Sequence, residues 1–395
     1  MGIVAGVLKE SFPSERRVAV VPQSIAALAK CGVQLAMERG AGLAAGFPDG
    51  EYEQKGAQLG TRGEILGRAE VLLGVRTAGA NPLAGCQDLR DGQAVIGFGE
   101  PLGEPAPYRE LATAGVTSFA MELLPRITRA QSMDALSSMA TIAGYKAVLL
   151  AADALPRMFP MLMTAAGTIT PARVLVIGAG VAGLQAIATA RRLGAVVSGY
   201  DVRPAVKEQV ESLGARFVSL ELETGGAQDQ GGYAKALGEE FYRRQRELMA
   251  EVIARHDVVI TTAAVPGQKA PVLVTSEMVA GMAAGSVIVD LAAERGGNCE
   301  LTRPGETAVE RGVTILGPLN LPSSVPYHAS QMYSRNVSTF LCHLLKGGAL
   351  VVDASDEITR ETLVTYQGQV VNRRVRQALG LPEAEAQETA VNQTR

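Results

Sequence analysis

The sequence has few of the residues from which disulfide frameworks and metal sites are built. Its 395 residues include four cysteines and three histidines. The cysteines Cys31, Cys86, Cys299 and Cys342 are far apart and form no CxxC pair, and the histidines show no spacing typical of metal ligands. We therefore predict reduced, mostly buried thiols, as in a cytoplasmic protein, and no metal site.

The sequence also lacks an excess of basic residues and a long uninterrupted apolar run. Lysine and arginine number 37 against 40 aspartates and glutamates, a net charge of −3 that gives nucleic acid nothing to bind. The longest apolar region, residues 133–155, is interrupted by Asp134, Lys146 and Asp153, so no membrane span is expected. No basic leader precedes the strand-like N-terminus. We expect a soluble protein, and its length predicts two domains.

The clearest positive signal is a strand, a glycine turn, a helix and a second strand within one stretch. Residues 173–201 read RVLVIGAGVAGLQAIATARRLGAVVSGYD. Gly178 would permit the tight turn, Gly180 the close approach of a pyrophosphate, and Gly183 the packing of helix on strand. The helix N-terminus would offer N–H groups to the phosphates. Because Asp201 follows at the distance where a carboxylate meets the adenosine ribose, the stretch predicts a dinucleotide site.

The acidic residue at the end of this stretch also bears on which dinucleotide is bound. A 2′-phosphate beside Asp201 would cost about 4 kcal/mol per charge pair at 4 Å and an effective dielectric near 20. An arginine nearby is the usual partner of such a phosphate, and Arg203 is of that type. The following Pro204 predicts that Arg203 lies in a turn and faces elsewhere. The sequence therefore favours NAD(H) over NADP(H).

Alternating strand and helix patterns run through most of the chain. They predict an α/β fold of two Rossmann-like lobes, with parallel sheets, separated by a cleft. The first lobe, without a GxGxxG, comprises residues 1–135 and 328–380; the NAD-binding lobe comprises 136–327, and 381–395 form a flexible tail. Strands are predicted at 3–8, 33–37, 70–75, 94–98, 116–120, 174–177, 195–200, 216–219, 257–262, 286–291 and 313–316.

Three segments between these strands carry further hypotheses. Residues 121–138 are polar, follow a strand, and lead into a helix over 133–152 with Ser132 as its N-cap. Residues 161–170 are predicted to form a hairpin, whose exposed methionines either make a dimer contact or pack on their own lobe. The glycine-rich loop 221–235 is either an inert surface loop or a lid whose Tyr233 closes on bound nucleotide.

The chain to about Gln369 resembles the NAD(H)-binding subunit, domain I, of proton-translocating NAD(P) transhydrogenase, a relative of alanine dehydrogenase. The motifs that carry the resemblance are KESFPSERRV at 9–18, PRITRAQSMDALSS at 125–138, GYDVR at 199–203 and GGYAK at 231–235. The resemblance implies a homodimer on the cytoplasmic face of the membrane. It also implies docking on membrane proton-channel subunits and on a separate NADP(H)-binding component, which accepts hydride from NADH.

The resemblance also implies roles for individual residues. It makes Arg126, Gln131 and Asp134, with Ser137 alongside, the catalytic loop around the nicotinamide of NAD. In that loop Arg126 would anchor the carboxamide, Gln131 would bridge toward the partner's cofactor, and Asp134 would fix the loop and favour charge on the oxidised ring. The full set of predicted cofactor contacts is Arg126, Gln131, Gly178, Gly180, Val181, Ala182, Gly183, Asp201, Val202, Arg203, Gly232, Tyr233, Gln245 and Ala264.

The residues that are missing agree with this chemistry. An amino-acid dehydrogenase moves a proton as well as a hydride and needs a tunable acid or base. Alanine dehydrogenases carry a lysine and a histidine for it, but the corresponding places here look like Arg76 and Phe98-Gly99. Hydride transfer between two nicotinamides needs only two rings held in line. Two alternatives stay open: a self-sufficient amino-acid dehydrogenase and a non-catalytic NAD(H)-binding protein.

Overall fold

The computed structural model describes residues 2–84, 86–219, 239–264 and 269–382. It divides the chain into two compact units. The first unit contains the chain up to Met139 and again from Val325, and the second contains Ala140–Ser324. Most of the predicted tail, residues 383–395, lies outside the described residues.

The elements follow one another in the order that the alternating patterns predict, with several short additions. Up to the end of the long connecting helix they are β1 Ile3–Val7, α1 Ile25–Lys30, β2 Val33–Glu38, α2 Asp49–Gln54, β3 Gln58–Gly60, α3 Arg62–Arg68, β4 Val71–Arg76, β5 Ala94–Phe98, α4 Pro107–Thr113, β6 Thr117–Ala120 and α5 Ala135–Ala154. The second unit continues with β7 Leu162–Thr164, β8 Gly167–Ile169, β9 Arg173–Ile177, α6 Val181–Arg192, β10 Val196–Tyr200, α7 Lys207–Ser212, β11 Arg216–Phe217, α8 Glu239–Ala254, β12 Val258–Thr261, α9 Ser276–Ala280, β13 Val287–Asp290, β14 Thr307–Glu310 and β15 Val313–Leu316. The chain then returns to the first unit with α10 Pro326–Leu344, β16 Leu345–Lys346, β17 Ala349–Leu350, α11 Glu357–Thr362, β18 Leu363–Tyr366, β19 Gln369–Val370 and α12 Arg373–Ala378.

Each unit is built on one large sheet, which confirms the α/β fold with two Rossmann-like lobes. The first sheet has the order β19-β18-β6-β5-β4-β1-β2-β3, and the second has the order β11-β10-β9-β12-β13-β15-β14. The predicted strands pair in parallel throughout. The sheets are not wholly parallel, however, because β18, β19 and β14 join their edges in antiparallel pairings.

The antiparallel edges come from short strands that the sequence patterns did not reveal. β14 and β15 are joined by a two-residue turn, Arg311-Gly312, in which both residues have positive φ. Such a turn can connect only antiparallel neighbours. β14 has one face exposed, so it lacks the continuous apolar run by which buried strands are recognised.

The second unit shows why β9 needs an unbroken apolar run. Val174 and Val176 belong to one buried cluster, with residues of α5, α6 and α7, while Leu175 and Ile177 belong to another, with residues of α8 and α9. Successive side chains of a strand point to opposite faces of the sheet. Because helices cover both faces, both sets of β9 side chains must be apolar.

Helix α5 begins two residues later than predicted and has a different cap. Residues 128–133 form a 3₁₀ helix, and the backbone N–H of Ser137 donates to Asp134 Oδ1 at 2.9 Å. Asp134, not Ser132, therefore occupies the N-cap position. Among the described residues, α5 is the one helix long and apolar enough to span a membrane by length and composition. Its Ala147, Val148 and Ala151 are fully buried in the core of the second unit.

The expectation of reduced thiols is wrong for two of the four cysteines. Cys31, at the end of α1, and Cys342, in the last turn of α10, form a disulfide across 311 residues of sequence. No local spacing could reveal this pairing, because the fold alone brings the two helices together. Cys299 is a buried free thiol, as predicted, and burial raises its pKa to about 11.

Candidate functional site

The three glycines of the turn between β9 and α6 have different surroundings in the structure. Gly178 has a φ of +98°, and the backbone N–H of Gly178 donates to Tyr200 O at 2.8 Å. A Cβ on Gly183 would lie 1.8 Å from the carbonyl oxygen of Gly178, whereas a Cβ on Gly180 would meet no atom within 4 Å. Gly183 is therefore required by packing, and the space beside Gly180 is open to a ligand.

The N-terminus of α6 lies directly behind this open space. The helix is capped by Gly180, and its first backbone bond runs from Leu184 N to Gly180 O at 2.8 Å. The amides of residues 181–183 precede that bond and are of the kind that hold phosphates at helix N-termini. Helix α5 passes very close, since a Cβ on Gly144 would lie 2.0 Å from the carbonyl oxygen of Ala182.

The structure brings Asp201 to the glycine turn but corrects the position of Arg203. Asp201 Oδ2 accepts the backbone N–H of Ala179 at 2.7 Å. Arg203 does not face elsewhere. Its Nε donates to Asp201 Oδ1 and its Nη2 to Asp201 Oδ2, both at 2.9 Å, and both side chains are largely buried. The backbone N–H of Arg203 also donates to Oδ1 at 2.9 Å. Pro204 fixes the turn, and that turn folds Arg203 back over the carboxylate.

The backbone beside Ala264 is held by a network that the sequence did not suggest. Asn298 accepts from Ala263 N through Oδ1 at 3.0 Å and donates through Nδ2 to Ala263 O at 2.8 Å. Asp290, fully buried, accepts from the backbone of Asn298 and Cys299 at 2.7 and 2.9 Å. Neither Asn298 nor Asp290 falls on a motif that the sequence analysis singled out. Asn298 fixes the backbone of Ala263, which directly precedes the predicted cofactor contact Ala264.

Residues Arg126 to Ser137, here called the 126–137 loop, belong to the first unit. Arg126 and Gln131 are exposed, while Asp134 accepts from Ser137 through both its oxygens, at 2.9 Å from N and 2.5 Å from Oγ. The structure thus joins Asp134 and Ser137 as the cap of α5. Asn336 of α10 also supports the loop, because its Nδ2 donates to Ser132 O at 2.9 Å.

The structure describes only some of the remaining predicted cofactor contacts. Val181 is exposed at the start of α6, Ala182 follows it, and Val202 packs on the core beside Tyr200. Gln245 lies on α8, but its side chain is outside the described residues. Gly232 and Tyr233, with the rest of the predicted lid from residue 221, are also outside them.

The first unit contains a charged interior cluster that sequence reasoning missed. Glu15 accepts two bonds from the guanidinium of the buried Arg17, at 2.8 and 2.6 Å, and one from Arg76 at 3.3 Å. The Arg76 guanidinium also lies 4.3 Å from the centre of the Phe12 ring. The cluster falls on the motif at 9–18, which carried part of the resemblance but suggested no role for any one residue. Arg76 is therefore engaged by a carboxylate and a ring.

Two further carboxyls of the first unit have unusual acidities. Glu10 accepts from the backbone of Val75 at 2.6 Å, and burial, reinforced by the nearby Glu15, raises its pKa to about 7. Glu122 accepts from the backbone of Gly99 at 2.8 Å, and burial also raises its pKa to about 7. The Oε2 of Glu122 is buried without a hydrogen-bond partner. Both groups can change protonation near neutral pH.

The side chains that commonly bind metal ions do not cluster in the part of the chain that is described. Among those residues no group of three or more histidine, cysteine, aspartate or glutamate side chains is placed to hold a metal ion.

Two Rossmann-like α/β units, one with a glycine turn, define the structural class of the protein. Profiles of the two domains of one family match almost the whole chain. The alanine dehydrogenase/PNT N-terminal domain matches residues 6–143, and the C-terminal domain matches 147–373. The chain belongs to the alanine dehydrogenase/PNT family.

Individual relatives support the same assignment. The chain is 44% identical over 372 residues to NAD(P) transhydrogenase subunit alpha of Cereibacter sphaeroides, covering 92% of this chain and 70% of the relative. A crystal structure of transhydrogenase from Sinorhizobium meliloti is 47% identical and superposes with a TM-score of 0.84 over 93% of this chain and all of the other. An L-alanine dehydrogenase structure is 25% identical, with a TM-score of 0.80 over 96% of this chain and 99% of the other. The resemblance seen in the sequence is confirmed.

The two glycines of the turn offer a matched pair of variants. Gly180→Ala should fold normally, because its methyl group meets nothing, but should raise the Kd for NADH by about tenfold or more by filling the space for a pyrophosphate. Gly183→Ala should instead lower the free energy of unfolding by roughly 1–3 kcal/mol or more, because its methyl group overlaps a carbonyl. Thermal melts and fluorescence titration with NADH measure both. Unchanged NADH affinity in Gly180→Ala would contradict the placement of the pyrophosphate.

The raised acidities of Glu10 and Glu122 predict how stability depends on pH. Their folded pKa values of about 7 lie above the ordinary 4.5, so the folded protein binds more protons between pH 4.5 and 7. Their contribution to stability is complete below pH 4.5 and is lost as the pH rises through 7, by at most about 3 kcal/mol per carboxyl. The free energy of unfolding of the double variant Glu10→Gln with Glu122→Gln, measured in urea, should therefore rise relative to that of the wild type between pH 5 and 8. The exposed Glu53→Gln is the control, and a parallel pH response in all three proteins would refute the assignment.

Proposed function

We propose that this chain is the NAD(H)-binding component of a proton-translocating NAD(P) transhydrogenase. In this role it holds NADH while hydride passes directly to NADP⁺ bound on a partner component. The observation that carries the proposal is the glycine turn, with open space at Gly180, a helix N-terminus behind it and Asp201 bonded to Ala179 N.

The residues at the turn suit a dinucleotide with a free adenosine ribose. The pyrophosphate would lie on the amides at the start of α6, where the helix dipole favours negative charge. The carboxylate of Asp201 would accept the ribose hydroxyls in exchange for part of its pairing with Arg203. A 2′-phosphate there would meet a carboxylate that Ala179 N holds in place. This arrangement supports NAD(H) over NADP(H), with NADP(H) as the second substrate on the partner.

The 126–137 loop would hold the nicotinamide end of the coenzyme, whose ring supplies the hydride. Arg126 would anchor the carboxamide, and Gln131 would reach toward the partner's cofactor; both are exposed. Asp134 would act together with Ser137, since their hydrogen bonds fix the turn from which the loop enters α5. Holding two rings at near-attack distance is the whole catalytic task in such a reaction.

Alanine dehydrogenases carry an acid and a base at two positions of the first unit. The residues of this chain at those positions favour hydride transfer without proton transfer. Arg76, where a dehydrogenase would carry a lysine, is paired with Glu15 and lies over Phe12. An arginine does not give up its proton in proteins. Phe98 and Gly99 lie where a histidine would be expected, and neither has a side chain that can bind a proton. The polar residues that remain are sufficient for transfer between two nicotinamides.

A second candidate function, an alanine dehydrogenase-like amino-acid dehydrogenase, has one observation in its favour. Glu10 and Glu122 have pKa values of about 7, which suits a general acid or base at neutral pH. Each carboxylate already accepts backbone N–H groups, Glu10 from Val75 and Glu122 from Gly99, so each is engaged within the fold. We rank this function below the transhydrogenase role.

The partners would be the remaining components of a multi-subunit enzyme. The relative from Cereibacter sphaeroides bears the name subunit alpha, which supports further subunits for this chain too. We propose an NADP(H)-binding component and membrane proton-channel subunits as those partners. The chain would then be a peripheral protein on the cytoplasmic face of the membrane.

The β7–β8 hairpin is the surface that we propose for a homodimer. Its Met161, Met163 and Ile169 are 57%, 80% and 41% exposed. Exposed apolar side chains grouped on one small element are typical of a protein contact. The hairpin is paired through two short strands, so it can present these side chains without support from the core.

A partner-dependent exchange assay tests the central proposal. Hydride should pass from NADH to an NADP⁺ analogue only when this chain and an NADP(H)-binding component are both present. Gln131→Asn should slow transfer by about tenfold or more with little loss of NADH affinity, because a small misplacement of the ring is costly. Tyr233→Phe should weaken NADH binding modestly, and the exposed Gln34→Asn should change neither.

The other outcomes of that assay distinguish the alternatives. Oxidation of NADH by pyruvate and ammonia without a partner would establish an amino-acid dehydrogenase. Tight NADH binding with silence in both assays would establish a non-catalytic binding protein. Equal loss of affinity and unchanged transfer in the Gln131 and Tyr233 variants would contradict the roles given to them.

Sedimentation tests the dimer surface. The wild type should sediment as two chains, whereas Met163→Asp should sediment as one, because an unpaired carboxylate in an apolar contact is costly. Val309→Asp, at a 65% exposed position on the edge strand β14, is the control and should remain dimeric. A dimer that survives Met163→Asp would place the contact elsewhere.

A further inference from the structure

The disulfide in the first unit joins two segments of the chain that are distant in sequence. Cys31 ends α1, and Cys342 lies in the last turn of α10; their Cα atoms are 5.7 Å apart. That separation fits a disulfide without movement of the backbone. Both residues are half-buried, so small thiols and disulfides can reach the pair.

We propose that Cys31 and Cys342 are a site of reversible oxidation, and that the bond sets how firmly α10 supports the 126–137 loop. Oxidation fastens the C-terminal end of α10 to α1. Reduction removes that covalent link and leaves the end held by noncovalent contacts alone. The rest of the first unit keeps its fold in both states.

Side-chain hydrogen bonds explain why the fold does not depend on the disulfide. The first half of α10 is bonded to the N-terminal segment through Ser330 and Ser334, which accept from Val18 N and Val21 N at 3.0 Å each. Tyr333 OH donates to Gly74 O at 2.7 Å. All three residues lie at least eight positions before Cys342, so reduction leaves them in place; its effect is confined to the last turns, which keep their core contacts through Phe340 and Leu341 but lose their covalent link to α1.

The end of α10 is connected to the 126–137 loop through Asp356. His343, next to Cys342, has its Nε2 at 2.9 Å from Asp356 Oδ2. Arg129, within the loop, donates to Asp356 Oδ1 at 2.6 Å. Asp356 also caps α11 by accepting from Thr359 N at 3.0 Å. When the last turn of α10 becomes more mobile, the contact of His343 with Asp356 weakens. Arg129 and Thr359 then hold Asp356 with less support.

The same helix supports the loop at a second point, closer to its middle. Asn336 donates to Ser132 O at 2.9 Å and precedes Cys342 by less than two helical turns. The exposed ion pair of Arg129 contributes little by itself. The position of the loop therefore depends on how well ordered α10 is as a whole. The disulfide would make α10 more ordered.

The oxidation is a thiol–disulfide exchange with a low-molecular-weight disulfide as the oxidant. The thiolate of one cysteine attacks that disulfide and releases one small thiol, and the second cysteine then displaces the other from the mixed disulfide. Two protein thiols become one disulfide, and one small disulfide becomes two thiols. Cys299 does not compete, because it is buried and its thiol pKa is raised to about 11.

Alkylation of the denatured protein tests the oxidation site. After treatment of the native chain with oxidised glutathione, mass spectrometry of its peptides should find Cys31 joined to Cys342; after reduced glutathione it should find all four cysteines alkylated. In Cys342→Ser, Cys31 should stop at the mixed disulfide with glutathione after oxidation and be alkylated after reduction, with no bond between two protein cysteines in either state. Four alkylated cysteines after oxidation would overturn the site, and a bond that native protein retains in reduced glutathione would overturn its reversibility.

Hydrogen exchange tests the effect on the loop. Amides of residues 126–137 should exchange about threefold faster or more in the reduced than in the oxidised protein. The redox difference should vanish in Cys342→Ser, and residues 173–192 of the second unit should show none. Equal exchange of the loop in both states would overturn its support by the disulfide. Neither measurement uses a coenzyme, so failure here leaves the transhydrogenase proposal untouched.

Discussion

The second unit depends on one contact between two stretches of backbone, where Gly183 of α6 passes the carbonyl of Gly178. A Cβ at Gly183 would lie 1.8 Å from that oxygen, so the helix can start beside the strand only because the residue has no side chain. The same close approach sets the amides of α6 beside the open space at Gly180. It also places the backbone N–H of Ala179 where it donates a hydrogen bond to Asp201. The packing of α6 on β9 and the proposed binding of a dinucleotide therefore depend on the same few residues.

The first unit follows a different constraint, the charge enclosed at the ends of its strands. Arg17 and Arg76 share the carboxylate of Glu15. Removing one member of such a group would leave a buried charge without compensation. Glu10 and Glu122 are enclosed with less compensation, and burial accordingly raises their pKa values to about 7. The unit thus holds two carboxyls that can titrate near neutral pH.

The sequence revealed those features that depend on neighbours along the chain. The turn at Gly178 and the buried strands are local patterns with a period or a spacing, and the structure agrees with them; the same spacing places Asp201 at the glycine turn, where it accepts from Ala179 N. Long-range pairings gave no such signal. Asn298 holding Ala263, Arg203 folding back on Asp201 and Cys31 meeting Cys342 arise from contacts that only the folded chain makes. Short edge strands such as β14 were also missed, because half of each is exposed and the apolar run is broken.

The most direct measurement is a crystal structure of the chain with NADH bound. We expect the pyrophosphate on the amides of residues 181–183, the adenosine ribose within hydrogen-bond distance of Asp201, and the nicotinamide beside Arg126 and Gln131 with one ring face open to another protein. A nicotinamide enclosed on both faces, or distant from Arg126 and Gln131, would contradict direct transfer of hydride to a coenzyme held by a partner.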